Sequence, residues 1–258
     1  MMNKNICIVV SDNGRGHLQR QLTIANRLTT KYNCSVHLYS NVFDFKNQYS
    51  EKIKWIRIKT NYNKSFFIKS NQIDFNSDID FVNYNLVISD NIIEIVNYSP
   101  NSIIYANFLW SEVFPQLKNF HLNILKNRKP IIYSNKYFSS PLIKNYINVK
   151  KAGFIIDGEK YNLTKENLLI SFGSSKDFFS NNINLINEII DNFKTSFKYF
   201  FLEPRYFSLI NNNQVKIATY TDEMYSSLKC ALIRPGIGSI TKCLFYNIKI
   251  FPIQIDDF

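Results

Sequence analysis

Residues 6–20 decide the fold, and they read ICIVVSDNGRGHLQR. Five consecutive apolar residues, 6–10, are typical of a strand that is buried on both faces of a parallel sheet. A polar turn with two glycines follows, and from Leu18 to about Lys31 the apolar residues recur at helical spacing. A strand, a glycine turn and a helix in succession predict the first βα unit of an α/β fold.

The same alternation of strand and helix patterns continues along the chain. Strand patterns occur at residues 36–39, 55–58, 86–90, 103–108, 131–133, 168–172, 199–202, 215–218, 231–233 and 248–253, and helical patterns at 182–193, 223–228 and 239–246. Between the two sets, residues 153–165 form a polar stretch that indicates a boundary. We therefore predict two Rossmann-like, doubly wound α/β domains, at residues 1–150 and 166–258, that face each other across a cleft.

Length and composition exclude several classes of protein. A chain of 258 residues with 45% hydrophobic residues can build a sizeable core, which excludes disordered and fibrous proteins. The longest apolar runs have about five residues, far fewer than the roughly 20 that a membrane helix requires. The first residues also lack the apolar core of a signal peptide. The sequence thus predicts a soluble, cytoplasmic protein.

The net charge of +11 favours anionic partners. Lysine is abundant alongside Asn, Ile, Tyr and Phe, a bias that indicates compositional drift, and no run of five or six basic residues marks a docking stripe. The aromatic residues follow core periodicity, without a stripe that would stack on single-stranded bases. We therefore expect no nucleic-acid partner, and leave phosphorylated ligands and acidic lipids as the anions that this charge would attract.

Neither the cysteines nor the acidic and histidine residues show the spacing of a metal site. The cysteines stand singly in apolar segments, which predicts buried thiols: Cys7, Cys34, Cys230 and Cys243. Asp78 and Asp80 could bind a divalent ion, but their polar, Asn-rich surroundings favour a solvated loop. His37 and His121 lack ligand spacing and are interpreted as structural. We expect no metal and no cofactor.

The turn after the first strand carries the strongest chemical signal. Gly14 and Gly16 let the backbone approach a bound group, and a helix N-terminus favours an anion. A dinucleotide fold would require a third glycine where Gln19 stands, which argues against NAD. His17, in the first turn of the helix, is placed to act as a general base near neutral pH. The alternative is that His17 caps its helix or packs on the sheet edge.

A carboxylate ends the predicted strand at residues 86–90. Ligands gather at the carboxyl ends of parallel strands, and Asp90 within reach of His17 would orient the imidazole ring and stabilise its protonated form. The alternative is that Asp90 is an N-cap of the following helix.

Two further turns join a strand to a helix in the second half of the chain. Residues 171–175 read SFGSS and lack the lysine of a Walker loop, which argues against kinase-like chemistry. Residues 234–239 read RPGIGS and place free amides and a hydroxyl where a diphosphate would bind. We interpret both as anion-binding turns, although each would also serve as a simple turn. The candidate residues are Gly173, Ser174, Arg234, Gly236, Gly238 and Ser239.

Several of these motifs resemble a known group of enzymes. Residues 14–17, GRGH, followed by Arg20, resemble the amino-terminal glycine-histidine signature of GT-B glycosyltransferases. The likeness is greatest to proteins similar to family 28, which includes the lipid-linked GlcNAc transferase of peptidoglycan synthesis. Residues 86–91 and 105–110 resemble a little-characterised bacterial and archaeal branch of that group, and residues 215–257 resemble its nucleotide-sugar region.

The resemblance implies a function and a set of partners. It implies a hexosyltransferase whose second domain binds a nucleotide-sugar donor such as a UDP-sugar, whose first domain meets a lipid-linked or glycan acceptor, and which has no obligatory metal. Gly16 and His17 would lie at the reaction centre, and Gly173, Ser174 and residues 236–239 would face the donor diphosphate. The resemblance further implies cell-envelope glycan biosynthesis, with peripheral contact to the anionic inner face of the membrane.

Two departures from the family pattern leave alternatives open. Lys242 stands at the donor-binding position where many relatives have a glutamate that binds the ribose. The chain also stops at Phe258, where relatives continue with further helices, so the sequence predicts an incomplete second domain and a C-terminal truncation. Two other functions therefore stay open beside the transferase: a nucleotide-sugar hydrolase of the same fold, and a catalytically inactive module that binds sugar nucleotides.

Overall fold

The computed structural model describes residues 4–11, 15–40, 51–58, 79–172 and 179–253. The chain divides into two compact units, Met1–Ile155 and Ile156–Phe258. Each unit contains one parallel β-sheet. The predicted class, α/β with parallel sheets, is confirmed.

The described part of the first unit contains a seven-stranded parallel sheet. Its strands are β1 (Asn5–Val9), β2 (Ser35–Tyr39), β3 (Ile53–Ile56), β4 (Leu86–Asp90), β5 (Ser102–Tyr105), β6 (Ile131–Asn135) and β7 (Val149–Ala152). The strand order is β3-β2-β1-β4-β5-β6-β7, so the order reverses between β1 and β4. The helices described in this unit are α1 (Arg15–Lys31), α2 (Trp110–Val113), α3 (Lys118–Arg128) and α4 (Pro141–Lys144). Ligands of open α/β sheets bind outside the carboxyl ends of the strands at such a reversal.

Packing on both faces explains the unbroken apolar run of β1. Cys7 and Val9 join one core cluster together with Trp110. Ile8 joins a second cluster, in which Leu22 of α1 packs. Because neighbouring residues of a strand point to opposite faces, a strand covered on both sides must be apolar at every position.

The second unit has the same design on a smaller scale. Its described strands are β8 (Asn167–Ser171), β9 (Phe200–Leu202), β10 (Val215–Ile217), β11 (Leu228–Ile233) and β12 (Lys249–Pro252), in the order β10-β9-β8-β11-β12. The described helices are α5 (Phe179–Phe193), α6 (Pro204–Phe207), α7 (Asp222–Ser227) and α8 (Ile237–Phe245). Here the order reverses between β8 and β11, the two strands that precede the predicted anion-binding turns.

Two elements of the first unit lack the patterns on which the predictions rely. Strand β7 has the sequence VKKA, with two exposed lysines. Among the described strands it pairs with β6 alone and so lies at the sheet edge, where exposed lysines are tolerated. Helix α3 is mostly polar, and it buries His121, Ile124 and Leu125. All four cysteines are free and buried, as predicted. No described helix has the length and hydropathy needed to cross a membrane.

Residues 157–161 of the stretch predicted as a boundary are attached to the second unit. The amide of Glu159 donates a hydrogen bond to Asp222 Oδ2 over 3.0 Å, and the amide of Tyr161 donates one to Ser226 Oγ, also over 3.0 Å. Lys242 Nζ donates to the carbonyl oxygen of Asp157 over 2.9 Å. The predicted domain ends at residues 150 and 166 leave a linker between them, whereas the two compact units meet at residues 155 and 156.

Replacing Gly158 with alanine is expected to destabilise the second unit. A Cβ atom at Gly158 would overlap the hydroxyl of the buried Tyr246 and lie 3.0 Å from Asp222 Oδ1. Such overpacking costs about 1–3 kcal/mol. Gly153→Ala is the matched control, because no atom of the described residues lies within 4 Å of a Cβ atom there. Urea unfolding of both variants tests this, and equal stability of the two would contradict it.

Candidate functional site

The two residues proposed for catalysis meet at the carboxyl end of the first sheet. Strands β1 and β4 are parallel neighbours in which Val9 pairs with Ser89. This register places the carboxyl end of β1 beside that of β4, whose last residue is Asp90. His17, in the first turn of α1, lies with Nδ1 3.0 Å from Asp90 Oδ1. The two residues are 73 positions apart in the sequence, so their spacing along the chain does not reveal this contact.

The backbone after β4 fixes the position of the carboxylate. Asn91 adopts a left-handed conformation with φ of 62°, which asparagine tolerates better than most residues. The hydroxyl of Ser89 donates to the carbonyl of Ile92 over 2.8 Å and closes the bend. The next helical turn, Ile93–Asn97, has Ile92 as its N-cap. Asp90 thus does not cap the following helix, which rules out that alternative.

Arg20 completes the cluster, one helical turn after His17. Its Nη2 atom lies 2.5 Å from Asp90 Oδ1 and 3.2 Å from His17 Nδ1. Its guanidinium carbon lies 4.5 Å from the centre of the Tyr105 ring. Tyr105 pairs with Asp90 across β4 and β5, so the arginine covers two neighbouring strand ends.

Electrostatics keep Asp90 ionised although it is fully buried. Burial by itself would raise the pKa of this carboxyl group. The positive charges of Arg20 and of a protonated His17, together with their hydrogen bonds, outweigh burial and hold the pKa of Asp90 below its usual value of 3.8. At neutral pH the cluster therefore contains a buried carboxylate that accepts hydrogen bonds.

This carboxylate determines what the histidine can do. A carboxylate only accepts hydrogen bonds, so the His17 Nδ1 atom must carry the proton that it shares with Asp90 Oδ1. Nε2 then has a free electron pair, and the ring is 18% exposed. A Cβ atom at Gly16 would meet no atom of the described residues within 4 Å. The arrangement suits removal of a proton from a hydroxyl group.

In the second unit, the N-terminus of α8 has the features of an anion site. Gly236 is the N-cap of this nine-residue helix, and no side chain hydrogen-bonds there as a cap. In the first turn, Gly236 and Gly238 are exposed and Ser239 is half-buried. Arg234, which directly follows β11, is half-buried, and its amide donates to Ser171 O over 2.9 Å. The predicted Gly173 and Ser174 lie outside the described residues.

Lys242 is bound within the second unit. Its Nζ atom lies 3.3 Å from Asp222 Oδ1 and 2.9 Å from the carbonyl oxygen of Asp157. The ammonium group also lies 5.8 Å from the centre of the Tyr225 ring and 5.7 Å from that of Tyr246. In this structure the lysine joins the connecting segment to α7 and α8, and its predicted contact with a donor stays a prediction.

The other polar residues singled out in the sequence have local partners. Asp80 caps a short helical turn, Phe81–Asn83, by accepting a hydrogen bond from the amide of Val82, and Asp78 lies outside the described residues. His37 bonds to the hydroxyl of Tyr84, and His121 bonds to Glu94. Among the described residues, no three His, Cys, Asp or Glu side chains lie close enough to bind a metal ion together.

The sequence analysis assigns no role to Arg20 or Tyr105. A signal for Arg20 was present, because residues three apart on a helix lie on the same face, here with His17. Tyr105 carried no such signal. Its position beside Asp90 follows from the pairing of β4 with β5.

Comparisons with known proteins identify the fold. No family model matches the chain, and no curated protein matches it. Solved structures do match: the calicheamicin glycosyltransferase CalG4 has a TM-score of 0.61 and 10% identity, over 98% of this chain and 80% of its own. Arabidopsis thaliana UGT89C1, complexed with UDP-L-rhamnose, has a TM-score of 0.61 and 12% identity, over 99% and 81%.

A third solved structure gives the same result. Phytolacca americana UGT2, complexed with UDP-2fluoro-glucose and pterostilbene, has a TM-score of 0.60 and 15% identity, over 97% of this chain and 80% of its own. These neighbours are GT-B glycosyltransferases, so the chain has the fold that the resemblance implies. The narrower likeness to family 28 stays a prediction.

Proposed function

We propose that this protein transfers a sugar from a nucleotide-sugar donor to an acceptor hydroxyl, with His17 as the general base. The observation that carries the proposal is the 3.0 Å contact between His17 Nδ1 and the buried Asp90 at the strand-order reversal of a GT-B fold. The contact holds the ring in the tautomer that leaves Nε2 free to take a proton. The solved neighbours of this fold, which include complexes with UDP-sugars, support the reaction class.

The proposed reaction balances as a single displacement. The acceptor hydroxyl oxygen forms a bond to the anomeric carbon of the donor sugar, and its proton passes to His17 Nε2. The bond between the anomeric carbon and the diphosphate oxygen breaks, and its electron pair leaves with the nucleoside diphosphate. Asp90 stabilises the imidazolium that forms, because it lies within hydrogen-bond distance of Nδ1.

We assign the diphosphate to the second unit. The free amides at the N-terminus of α8, including those of Gly238 and Ser239, would stabilise the negative charge of the leaving group. Arg234, Gly236 and the loop with Gly173 and Ser174 belong to the same proposal. It contains no step that needs a metal ion, in agreement with the family resemblance.

The proposal extends to the acceptor and its location. The resemblance to family 28 favours a lipid-linked or glycan acceptor in cell-envelope glycan synthesis at the cytoplasmic face of the membrane. The net charge of +11 favours peripheral contact with anionic lipids.

Product analysis tests the reaction class directly. The protein is incubated with a panel of UDP-sugars and other nucleotide sugars, with and without candidate acceptors, and the products are separated by mass spectrometry. A glycosylated acceptor supports the transferase, whereas free sugar formed without any acceptor supports a hydrolase. Binding without turnover supports an inactive sugar-nucleotide module. Thermal-shift screening selects the panel, because a bound ligand stabilises the folded state.

Replacing Gly238 with glutamine is expected to weaken the binding of nucleoside diphosphates. The added side chain would crowd the first turn of α8, where the free amides lie, and we expect a loss of about tenfold or more in affinity. Leu244→Gln is the matched control, since Leu244 is exposed on the last turn of the same helix. Calorimetry with UDP measures both, and equal affinities would exclude this turn as the diphosphate site.

A further inference from the structure

We infer that Arg20 is a positioning residue that sets the pH at which the His17–Asp90 pair takes up a proton. The catalytic meaning of this inference rests on the proposed function. The effect of Arg20 on proton uptake does not depend on that function, because it involves three side chains of the first unit: His17, Arg20 and Asp90.

The guanidinium and the imidazole bond to the same carboxylate oxygen. Arg20 Nη2 and His17 Nδ1 lie 2.5 Å and 3.0 Å from Asp90 Oδ1. Oδ2, the other oxygen, has no hydrogen-bond partner in the part of the chain that the structure describes. An arginine that only neutralised a buried acid would favour a two-pronged contact with both oxygens. Sharing one oxygen instead brings the guanidinium 3.2 Å from the imidazole nitrogen.

The shared oxygen also settles which atoms donate. Two donors, Arg20 Nη2–H and His17 Nδ1–H, point at one acceptor, so the short distance between the two nitrogens is a contact between donors. A permanent positive charge at this distance opposes a second positive charge on the ring. The guanidinium charge thus works against a positive charge on the ring, while Asp90 orients the ring through its contact with Nδ1.

An aromatic platform fixes the arginine. The guanidinium carbon lies 4.5 Å from the centre of the Tyr105 ring, and Tyr105 is 5% exposed. Stacking on a buried ring stabilises a cation and restricts its orientation. Among the described residues, the charged and titratable groups that face Asp90 are therefore His17 and Arg20 from α1 and Tyr105 from β5.

Nuclear magnetic resonance of the histidine side chains tests the inference without any substrate. The chain has three histidines, so ¹⁵N-histidine labelling gives few signals, and His17→Gln identifies those of His17. Removing the guanidinium in Arg20→Gln leaves a buried negative charge that favours proton uptake by the pair. We expect the midpoint of the titration to rise by about one pH unit. Arg20→Lys keeps the positive charge, so its midpoint should rise by no more than half as much as that of Arg20→Gln.

The controls separate this effect from general destabilisation. Arg27→Gln, an exposed arginine on the same helix, should leave the midpoint unchanged. Tyr105→Leu removes the aromatic platform and should raise the titration midpoint by less than Arg20→Gln does. If Arg20→Gln does not fold, the midpoint of Tyr105→Leu decides the question. A midpoint equal to that of the wild type in Arg20→Gln, or in Tyr105→Leu when only that variant folds, overturns the inference.

Turnover provides a second and separate measurement. Once a donor and an acceptor are known, the acid limb of the rate profile of Arg20→Gln should move to higher pH by the same amount as the titration midpoint. If the wild-type protein shows no turnover at all, the proposed function fails, while the titration still supports or overturns the role of Arg20.

Discussion

Replacing His17 with alanine is expected to lower turnover by about a hundredfold or more, the usual contribution of a positioned general base. The variant loses Nε2, which takes the acceptor proton in the proposed reaction. It keeps α1, whose buried Leu18 and Leu22 hold the helix on the sheet. Steady-state rates with saturating donor and acceptor measure the loss.

The matched control for this variant is His37→Gln. His37 lies on β2 and bonds to Tyr84, so its replacement removes a histidine of the first unit without touching the cluster. Calorimetry should show that His17→Ala still binds nucleoside diphosphate as tightly as the wild type, because the proposed diphosphate site lies in the second unit. An unchanged turnover in His17→Ala would remove the residue from the mechanism.

Replacing Asp90 with asparagine is expected to lower turnover through its effect on the His17 ring. Without the carboxylate, Arg20 Nη2, at 3.2 Å from His17 Nδ1, becomes a donor to that nitrogen. The proton of the neutral ring then moves to Nε2, which can no longer act as a base. The wrong tautomer in a comparable cluster lowers turnover by about 10⁴-fold, and here we expect a loss of about a hundredfold or more, no larger than that of His17→Ala.

The same substitution should also destabilise the first unit. Asp90 is fully buried and Arg20 is 15% exposed, so its removal leaves a positive charge in a largely dry environment. Breaking a buried pair from one side costs about 3 kcal/mol or more of the free energy of unfolding. Urea unfolding measures this cost, with Asp80→Asn, an exposed capping carboxylate, as the control. A folded Asp90→Asn variant with wild-type turnover would contradict the proposed base.

The fold was predictable where burial produces a hydrophobic pattern in the sequence. Residues 6–9 of β1 are all apolar because both faces of the strand are covered there, and α1 shows helical spacing because one side packs on the sheet. Strand β7 escaped prediction because an edge strand can carry exposed lysines. The attachment of residues 157–161 to α7 and α8 was not predictable either. Backbone amides donate most of these hydrogen bonds, and a backbone amide is present in nearly every residue type.

The candidate site was predictable in part. A histidine in the turn after β1 and an acid at the end of β4 are visible in the sequence, and their predicted proximity is what the structure shows. Arg20 was visible only as a neighbour of His17 on the helix. Its distance to Asp90, 70 positions away, depends on the pairing of two strands.

The sequence by itself determined the alternation of strands and helices, and it determined that a glycine turn with an imidazole follows the first strand, because hydrophobic periodicity and glycine placement are local properties. Only the tertiary structure decided that one oxygen of Asp90 accepts hydrogen bonds from both His17 and Arg20. That arrangement arises from the parallel register of β1, β4 and β5, and a register between distant strands is set by the packing of whole faces rather than by any single stretch of residues.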